Sequence, residues 1–442
     1  MKKAICTILA LVMLTVFLVS CTQPPATTQT QPPANTGDRT EPATTAPETT
    51  APAVTTPEDP TEGDPVTLRF MMNSPELTAF YHNMAAAYNE HTGGRVTIEM
   101  FIEQSEYQTL LLSRLNAGQT PDMFMSSAFA ENHLFRDFTY DLTNQPFMQY
   151  IDPALLTSVM VGDAITGYPF VLQSHGYIYN LELFEQAGIT QLPQTYDELR
   201  AASETLSAAG IQPFASGFAE WWVLPQTVYP TMSDVYGGDY ERLFADLSNG
   251  VLQFSDLPEL DYALDMLDLI NEYSGSRPME STFDDQVSTF ANGQVAMIHQ
   301  GNWAADSIRS ANPNIRMGYV LHPRLDGHAV LAVESNLTFR VGNTENVHET
   351  LLWLDWLTTS DFGRAWIPEQ VGQISPQIGA AMPDCVLAEE TARYIASGQT
   401  APWWIFIGPE GIEEPFGRAF QAYVAGTSTR DQLKSELDAL FR

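Results

Sequence analysis

Basic residues are scarce in this chain of 442 residues, which has 20 lysines and arginines against 54 aspartates and glutamates and a formal net charge of −34. After Lys2 and Lys3, Lys434 is the only further lysine in the sequence. Proteins that bind nucleic acid or anionic membrane surfaces use basic patches to displace counterions from phosphates. The composition therefore argues against both partners and favours a solvated acidic surface over a cation-binding role.

Cysteine is also rare, with Cys6, Cys21 and Cys385 as the only three. The first two lie in or at the end of an apolar N-terminal segment, so an internal disulfide in the rest of the chain is excluded. We expect Cys385 to be a small buried side chain. A nucleophilic role would also require a base and an orienting group.

The sequence lacks the GxSxG, P-loop, HExxH and glycine-rich dinucleotide motifs that accompany common enzyme chemistries. His322 and His328 flank a turn, and we expect both at the surface rather than in a zinc site, because no cysteine or further histidine lies at ligand spacing. We therefore predict a protein that is not an enzyme and has no cofactor and no metal. A secreted glycoside hydrolase remains an alternative, because two acids could meet across a cleft.

The N-terminal segment MKKAICTILALVMLTVFLVSC begins with two lysines and continues with an apolar run that ends at Ser20. This run is shorter than the ~20 residues that a membrane-spanning helix needs. Its end, LVSC at 18–21, resembles the lipobox of bacterial lipoproteins. The resemblance implies a signal peptide over residues 1–20 and a lipidated Cys21 that anchors the protein to the extracytoplasmic side of the cell membrane. An ordinary secretory signal remains the alternative.

Residues 21–65 comprise this cysteine and a stretch rich in threonine and proline. From Thr22 to Pro65 there is no aromatic residue, and Val54 is the one β-branched aliphatic residue. Such a stretch cannot bury enough apolar surface to offset the entropy lost on ordering. We predict a disordered tether. No second long apolar run follows it, so any transport step belongs to a partner in the membrane.

Residues 66–442 are long enough for two hydrophobic cores. Their start alternates between strand and helix patterns, with strands predicted at 66–72, 96–101 and 123–125 and helices after Ser74-Pro75 and over 107–117. This βαβαβ order predicts an α/β fold with a parallel sheet, which binds ligands beyond the carboxyl ends of its strands. Asn73, Ser74, Ser126 and Ser127 fall at those ends.

A later segment, FANGQVAMIHQGNWAADSI at 290–308, indicates a buried strand over 295–299 and a turn at Gly301. Trp303 is then the first large residue at the start of the following helix. A tryptophan at such a strand-to-helix corner is expected to face a cleft.

Three segments together resemble a known family. They are LNAGQTPDMFM at 115–125, the block GYPFVLQSHGYIYNLELFEQAG that begins at Gly167, and FANGQVAMIHQGNW at 290–303. In this order, behind a lipobox and a tether, they are similar to the extracellular solute-binding proteins of ABC importers, in the carbohydrate-binding branch that is maltose-binding-protein-like.

The resemblance implies a two-lobed periplasmic-binding-protein-like fold of type II, with parallel-dominated sheets flanked by helices and a ligand cleft between the lobes. The N-terminal lobe is expected to comprise residues 66–171 and 326–372, and the C-terminal lobe residues 172–325 and 373–442. Crossings between the lobes are expected near 171–174 and 324–329. Hinge closure around the ligand would create the shape that a membrane permease recognises.

The function implied by the resemblance is capture of a sugar or oligosaccharide and its delivery to the permease subunits of an ABC transporter, by a lipid-anchored monomer. A binding protein of the same fold for another solute, such as a polyamine, is an alternative that the acidic composition suits. A third possibility is that the protein presents its ligand to a membrane sensor.

The resemblance also assigns site residues. Trp303 occupies the position of a stacking tryptophan in the GNW motif, and Gln173 in Tyr-Pro-x-x-x-Gln occupies the position of an acidic ligand contact. An amide at this position weakens the case for a maltodextrin. The other expected contacts are Asn73, Ser126, Trp222 from the Trp221-Trp222 pair, Glu334 and Gln373, with Trp403-Trp404 as a weaker pair. We assign Asp122 to structure rather than to the ligand.

Overall fold

The computed structural model describes residues 59–103, 106–335, 337–409 and 411–442. The predicted signal peptide, Cys21 and the tether up to residue 58 lie outside the described residues. In the described part of the chain, no helix has the length and apolar character that crossing a membrane requires.

The strands are β1 (Val66–Met72), β2 (Val96–Ile102), β3 (Met123–Ser127), β4 (Met160–Val161), β5 (Ala164–Ile165), β6 (Tyr168–Pro169), β7 (Gln173–Asn180), β8 (Gln212–Ala215), β9 (Val295–Gly301), β10 (Met317–Val320), β11 (His322–Pro323), β12 (Ala329–Glu334), β13 (Leu337–Val341) and β14 (Thr400–Ala401). The helices are α1 (Thr78–His91), α2 (Tyr107–Asn116), α3 (Ala130–Phe135), α4 (Pro153–Leu156), α5 (Leu181–Gln186), α6 (Tyr196–Ala208), α7 (Val228–Met232), α8 (Tyr240–Ser248), α9 (Pro258–Tyr273), α10 (Phe283–Ala291), α11 (Ala305–Ala311), α12 (Val347–Thr359), α13 (Asp361–Ala365), α14 (Val386–Ser397), α15 (Glu413–Val424) and α16 (Arg430–Leu440).

Two sheets, each with its own hydrophobic core, divide residues 66–442 into two lobes. The core of the first lobe is built from residues 68–171 and 339–371, and the core of the second from residues 177–332 and 385–441. Each core therefore combines two separate stretches of chain. The predicted two-lobed α/β fold is confirmed.

The first sheet has the strand order β2-β1-β3-β13-β6. β1 pairs in parallel with both β2 and β3, so the carboxyl ends of these three strands meet at one edge of the sheet. Beyond β1, Pro75 opens a 3₁₀ turn that leads into α1, and α1 buries Tyr81, Met84 and Tyr88 against the sheet. The predicted βαβαβ start is present and places Asn73 and Ser126 at the same edge.

The second sheet has the order β11-β12-β7-β9-β8, with β10 also paired to β7 and β14 to β12. Most of its pairs are antiparallel, and the parallel ones are β8 with β9 and β12 with β14. The expected dominance of parallel pairing therefore does not extend to this sheet. The reason is that β7 enters it from the first lobe while β12 returns to the first lobe, so these neighbours run in opposite directions.

The return to the first lobe occurs later than expected. His322 pairs with Val330 across a hairpin whose turn has a hydrogen bond from the amide of Gly327 to the carbonyl of Arg324. Residues 329–334 are therefore a strand of the second sheet, and the chain changes lobe between β12 and β13 rather than at 324–329. The other two connections run between β6 and β7 and through residues 371–374, where Leu172 bridges to Ile374.

The last residues of the predicted tether are held against the first lobe. The amide of Glu62 donates to the carbonyl of Asp59 at 3.0 Å, and Arg95 Nε donates to the carbonyl of Pro60 at 3.0 Å. The prediction of disorder is therefore wrong for residues 59–65. Arg95 supplies a hydrogen-bond partner for the backbone of this segment, and the composition of the segment does not reveal that partner.

Two predictions about single side chains are confirmed. Cys385 is buried in the core of the second lobe with 2% of its surface exposed. Asp122 accepts hydrogen bonds from the amide of Arg69 at 2.8 Å and from the side chains of Thr344 and Asn346. This carboxylate therefore joins β1, β3 and the segment after β13.

Candidate ligand-binding cleft

A cavity of about 330 Å³ lies between the two lobes and is lined by both of them. This volume is at the lower end of the range for small-molecule sites in proteins. The first lobe contributes the ends of β1 and β3, the first turns of α2 and α3, and Leu337. The second lobe contributes Gln173, the segment 219–229, Phe283, Trp303, Trp403 and the start of α15.

The end of β3 is held in place by a buried arginine. Arg340 is fully buried, and its guanidinium donates to the hydroxyl of Ser126, to the carbonyl of Ser127 and to Asn132 Oδ1. Its remaining nitrogen donates to Thr166 at 3.1 Å. Because the hydroxyl of Ser126 also donates to the carbonyl of Ser127, it is already engaged within the protein. Ser126 therefore shapes the cavity more than it offers hydrogen bonds to a ligand.

Four aromatic side chains form a continuous wall on the side of the second lobe. The ring centroids of Trp222 and Trp303 are 6.3 Å apart, and those of Trp303 and Trp403 are 5.9 Å apart, both edge to face. Phe283 extends this aromatic wall at 5.8 Å from Trp222. All four side chains line the cavity, so the wall offers the flat apolar surface on which a ring-shaped ligand stacks.

Trp303 is fixed at the centre of the aromatic wall by its neighbours. Its indole nitrogen donates to Gln300 Oε1 at 2.9 Å, and Gln300 in turn donates to Gln286 at 2.7 Å. The ring also lies directly over Gly301, where an added Cβ would be 2.1 Å from the indole and 2.2 Å from the carbonyl of Ser174. The glycine of the GNW motif is therefore required for the tryptophan to lie on the strand end.

Polar atoms without partners surround the aromatic wall. Among the described residues, Trp222 Nε1, Gln226 Oε1 and Glu413 Oε1 are buried and have no hydrogen-bond partner. All three side chains line the cavity. Because buried polar atoms are nearly always paired in native proteins, these three are available to a bound molecule that both accepts and donates hydrogen bonds.

The cavity is strongly acidic. Among the described residues, six glutamates line it, at positions 76, 106, 131, 220, 413 and 414, whereas the single arginine, Arg418, pairs with Glu414 at 3.0 Å. Burial raises the pKa of Glu413 to about 8, and the charge of Glu131 across the cleft adds to the effect. Glu131 itself accepts from Gln108 at 2.7 Å and from the amide of Ser127. At neutral pH Glu413 is therefore mainly protonated and able to donate a hydrogen bond.

Five of the seven residues predicted for the site line this cavity: Asn73, Ser126, Gln173, Trp222 and Trp303. Both members of the Trp221-Trp222 pair face it, whereas Trp403 lines it and Trp404 is buried behind it in the core. Whether each of the five contacts a ligand stays a prediction.

The other two predicted residues lie in the segments between the lobes and do not line the cavity. The carboxylate of Glu334 turns back to accept from the amide of Ser335 at 3.0 Å, at the point where β12 leaves the second sheet. Gln373 is 2% exposed and precedes the bridge between Leu172 and Ile374. Their positions favour a role in the hinge over contact with a ligand.

Sequence reasoning missed the facing glutamates Glu131 and Glu413 and the amide of Gln226. No motif marks them, because α3 and α15 belong to different lobes and meet only in the folded protein. The Glu-Glu pair that opens α15 is a common feature of helix N-termini, so it carries no signal for a site.

Comparisons with known proteins agree with this architecture. The chain matches the bacterial extracellular solute-binding protein family over residues 83–377. It is 20% identical to the multiple sugar-binding protein of Streptococcus mutans over 318 residues, 67% of this chain and 72% of that protein. It is 22% identical to the melibiose/raffinose/stachyose-binding protein MelE of Bacillus subtilis over 276 residues, 59% of this chain and 61% of that protein.

A solved structure of the solute-binding protein RafE in complex with raffinose has the same fold. It superposes with a TM-score of 0.72 at 19% identity and covers 85% of this chain and 98% of that one. Together with the two lobes and the cleft between them, the match over residues 83–377 shows that this chain belongs to the bacterial extracellular solute-binding protein family.

Proposed function

We propose that the protein binds a saccharide or oligosaccharide in the cleft between its lobes, as the substrate-binding component of an ABC importer. The observation that carries this proposal is the aromatic wall bordered by unpartnered polar atoms. A pyranose has flat C–H faces that stack on aromatic rings and a rim of hydroxyls that both donate and accept hydrogen bonds. The two relatives described above are named for sugar binding.

In this proposal the protein holds its ligand without converting it. Stacking on Trp303 and hydrogen bonds from both lobes favour a closed form, which the permease subunits recognise. The proposed lipid at Cys21 and the tether keep the protein close to the membrane on its extracytoplasmic side. The ligand then passes to the permease when the lobes open.

A polyamine is the second candidate ligand, because the described part of the chain lines the cavity with six carboxyl groups and a single guanidinium. Ammonium groups would pair with these carboxylates, and stacking on the aromatic wall would then contribute little. The two candidates therefore differ in which wall of the cavity provides the binding energy.

A thermal-shift screen against raffinose, stachyose, chitin oligosaccharides and spermidine tests the proposal. A ligand at ~100 times its dissociation constant adds roughly 2.7 kcal/mol to the free energy of unfolding. We expect a neutral saccharide to raise the melting temperature by several degrees and to be recovered unchanged by chromatography. A shift with spermidine alone would overturn the saccharide assignment, and recovery of cleaved saccharide would show a glycoside hydrolase instead.

A further inference from the structure

Three histidines that lie far apart in the sequence meet in the core of the second lobe. Tyr177 of β7 pairs with His299 of β9, and His175 lies two residues before Tyr177 on the same face of the sheet. On the other side of β7, Val320 also pairs with Tyr177, and His322 follows Val320 by two residues. The strand register therefore directs all three imidazoles to one face of the sheet.

The ring nitrogens of these histidines converge on one point. His175 Nδ1 is 3.1 Å from His322 Nε2, and His299 Nε2 is 3.2 Å from the same atom. All three ligand atoms lie within 4.8 Å of one another. Imidazole nitrogens bound to one tetrahedral Zn²⁺ at about 2.0–2.1 Å are separated by about 3.3 Å, which is close to the two short distances. The cluster, called the histidine triad below, therefore has nearly the spacing of a metal site.

Protons alone do not satisfy this arrangement. A neutral imidazole has one N–H and one lone pair, each directed along one line in the ring plane. His322 Nε2 can therefore form a good hydrogen bond with only one of its two neighbours. A cation at the common point would instead accept a lone pair from each of the three rings.

The triad is also shielded from solvent. The exposed fractions of His175, His299 and His322 are 0%, 3% and 1%. His299 Nδ1 lies 3.2 Å from the hydroxyl of Thr227, which is the outer hydrogen bond that commonly orients a metal-bound histidine.

We propose that His175, His299 and His322 bind a divalent transition-metal ion, with Zn²⁺ as the ion that three imidazoles favour in a redox-inactive site. No thiolate or carboxylate joins the triad in the described part of the chain, so a buried water molecule would supply the fourth ligand.

The metal would support the ligand-binding cleft without touching the ligand. The ring of His175 lies 4.9 Å from Trp403 and 6.4 Å from Trp303, between the triad and the aromatic wall. Fixing the three imidazoles would therefore also fix the back of this wall. The role is structural, and it does not depend on the nature of the solute that the cleft binds.

The test uses the full-length protein purified through a tag without histidines. Metal content is measured by inductively coupled plasma mass spectrometry, and Co²⁺ replaces Zn²⁺ during refolding so that visible absorption reports the coordination. We expect one metal ion per chain and the intense visible bands of a low-coordinate Co²⁺–imidazole site. The His322→Gln variant should bind none, whereas His328→Gln should bind as the wild type does, because His328 is exposed on the adjoining turn.

Two results would overturn the proposal. One is wild-type protein that binds no more Zn²⁺ or Co²⁺ than the His322→Gln variant, which would leave the triad as a hydrogen-bonded cluster of neutral rings. The other is equal loss of metal in the His328→Gln control. If His322→Gln fails to fold, the wild-type Co²⁺ spectrum decides alone, because only the weak bands of hydrated Co²⁺ would remain without a site.

Discussion

At the scale of single residues, the cleft depends on a few side chains whose partners are inside the protein. Trp303 is oriented by Gln300, and the aromatic wall continues from it on both sides. The GNW motif predicted this position because a tryptophan at a strand-to-helix corner is expected to face a cleft. The prediction for Gln173 came from a motif in the same way, and the structure places it on the cavity with 7% of its surface exposed.

Replacing Gln173 with alanine should weaken saccharide binding by about 1–2 kcal/mol, because one neutral hydrogen bond is lost and its partner on the ligand is left unpaired. Isothermal titration calorimetry measures the change. Gln294→Ala, an exposed amide just before β9, serves as the control and should bind as the wild type does. Equal affinity of the two variants would remove Gln173 from the set of ligand contacts.

The raised pKa of Glu413 predicts a loss of stability as the pH rises. The folded protein holds this proton up to about pH 8, whereas an unfolded carboxyl group releases it near its ordinary pKa, so folding is favoured on the acid side of this interval. Between about pH 6 and about pH 8, the ionisation of Glu413 should lower the unfolding free energy of the wild type by about 2 kcal/mol. Glu413→Gln lacks this ionisation, so its unfolding free energy should fall less over the same interval.

Denaturant unfolding at both pH values measures the effect of Glu413. Glu414→Gln is the matched control, because this neighbouring side chain is 43% exposed and pairs with Arg418. The control should follow the wild type. If the unfolding free energy of Glu413→Gln falls with pH as steeply as that of the control, the ionisation of Glu413 does not contribute to the pH dependence of stability.

The position of His322 could not be predicted from the sequence. His322 was predicted at the surface, and this prediction is wrong, since 1% of its surface is exposed. Its neighbour His328 is on the same hairpin and is exposed. The difference arises because His322 continues the line of β10 towards His175, a contact between distant segments that no local pattern encodes.

At the scale of elements, helix starts depend on short local signals. The hydroxyl of Thr195 accepts from the amide of Glu198 at the start of α6, and Thr429 and Gln432 form a full capping box at the start of α16. Such signals lie within four residues of sequence, so they are local. Sheet direction and the late return to the first lobe depend instead on which distant strands pair, and the sequence did not predict them.

Helix α15 brings Glu413, Glu414 and Arg418 to the cavity, so its position should affect ligand binding. It packs closely on Trp221, and a Cβ at Gly417 would be 2.5 Å from the carbonyl oxygen of Trp221 and 2.8 Å from its ring. Gly417→Ala should therefore move α15 away from Trp221, destabilise the protein by about 1–3 kcal/mol and weaken ligand binding.

Ala422→Gly in the same helix provides the control for Gly417→Ala. It should cost about 1 kcal/mol of stability through helix propensity alone and leave affinity unchanged. Denaturant unfolding and calorimetry on both variants separate the two effects. Wild-type affinity in Gly417→Ala would contradict the claim that α15 shapes the cleft.

At the scale of the whole molecule, three connections join the two lobes, and the cavity lies between them. This arrangement predicts that ligand binding changes the angle between the lobes. Small-angle X-ray scattering should show a smaller radius of gyration with saturating saccharide than without it. An unchanged radius, measured together with calorimetric binding, would show that the lobes hold one relative orientation.

The overall architecture was the level at which sequence was most informative. Three motifs in order resembled a known family, and this resemblance implied two lobes and a cleft. The facing pair Glu131 and Glu413 was not predictable, since it forms only when both lobes are assembled. Local order therefore predicts the layout of this fold, and the chemistry of its cleft depends on contacts between the lobes.

Calorimetric titration of the wild type and of Trp303→Ala, with the saccharide that the screen identifies, tests directly whether the aromatic wall binds a sugar. We predict one binding site in the wild type and a loss of at least about 2 kcal/mol of binding free energy in Trp303→Ala. Trp356→Ala, which removes a tryptophan of similar exposure (8% against 9%) from the first lobe, should lower stability and leave affinity unchanged. Undiminished saccharide affinity in Trp303→Ala would show that the saccharide does not bind at the aromatic wall.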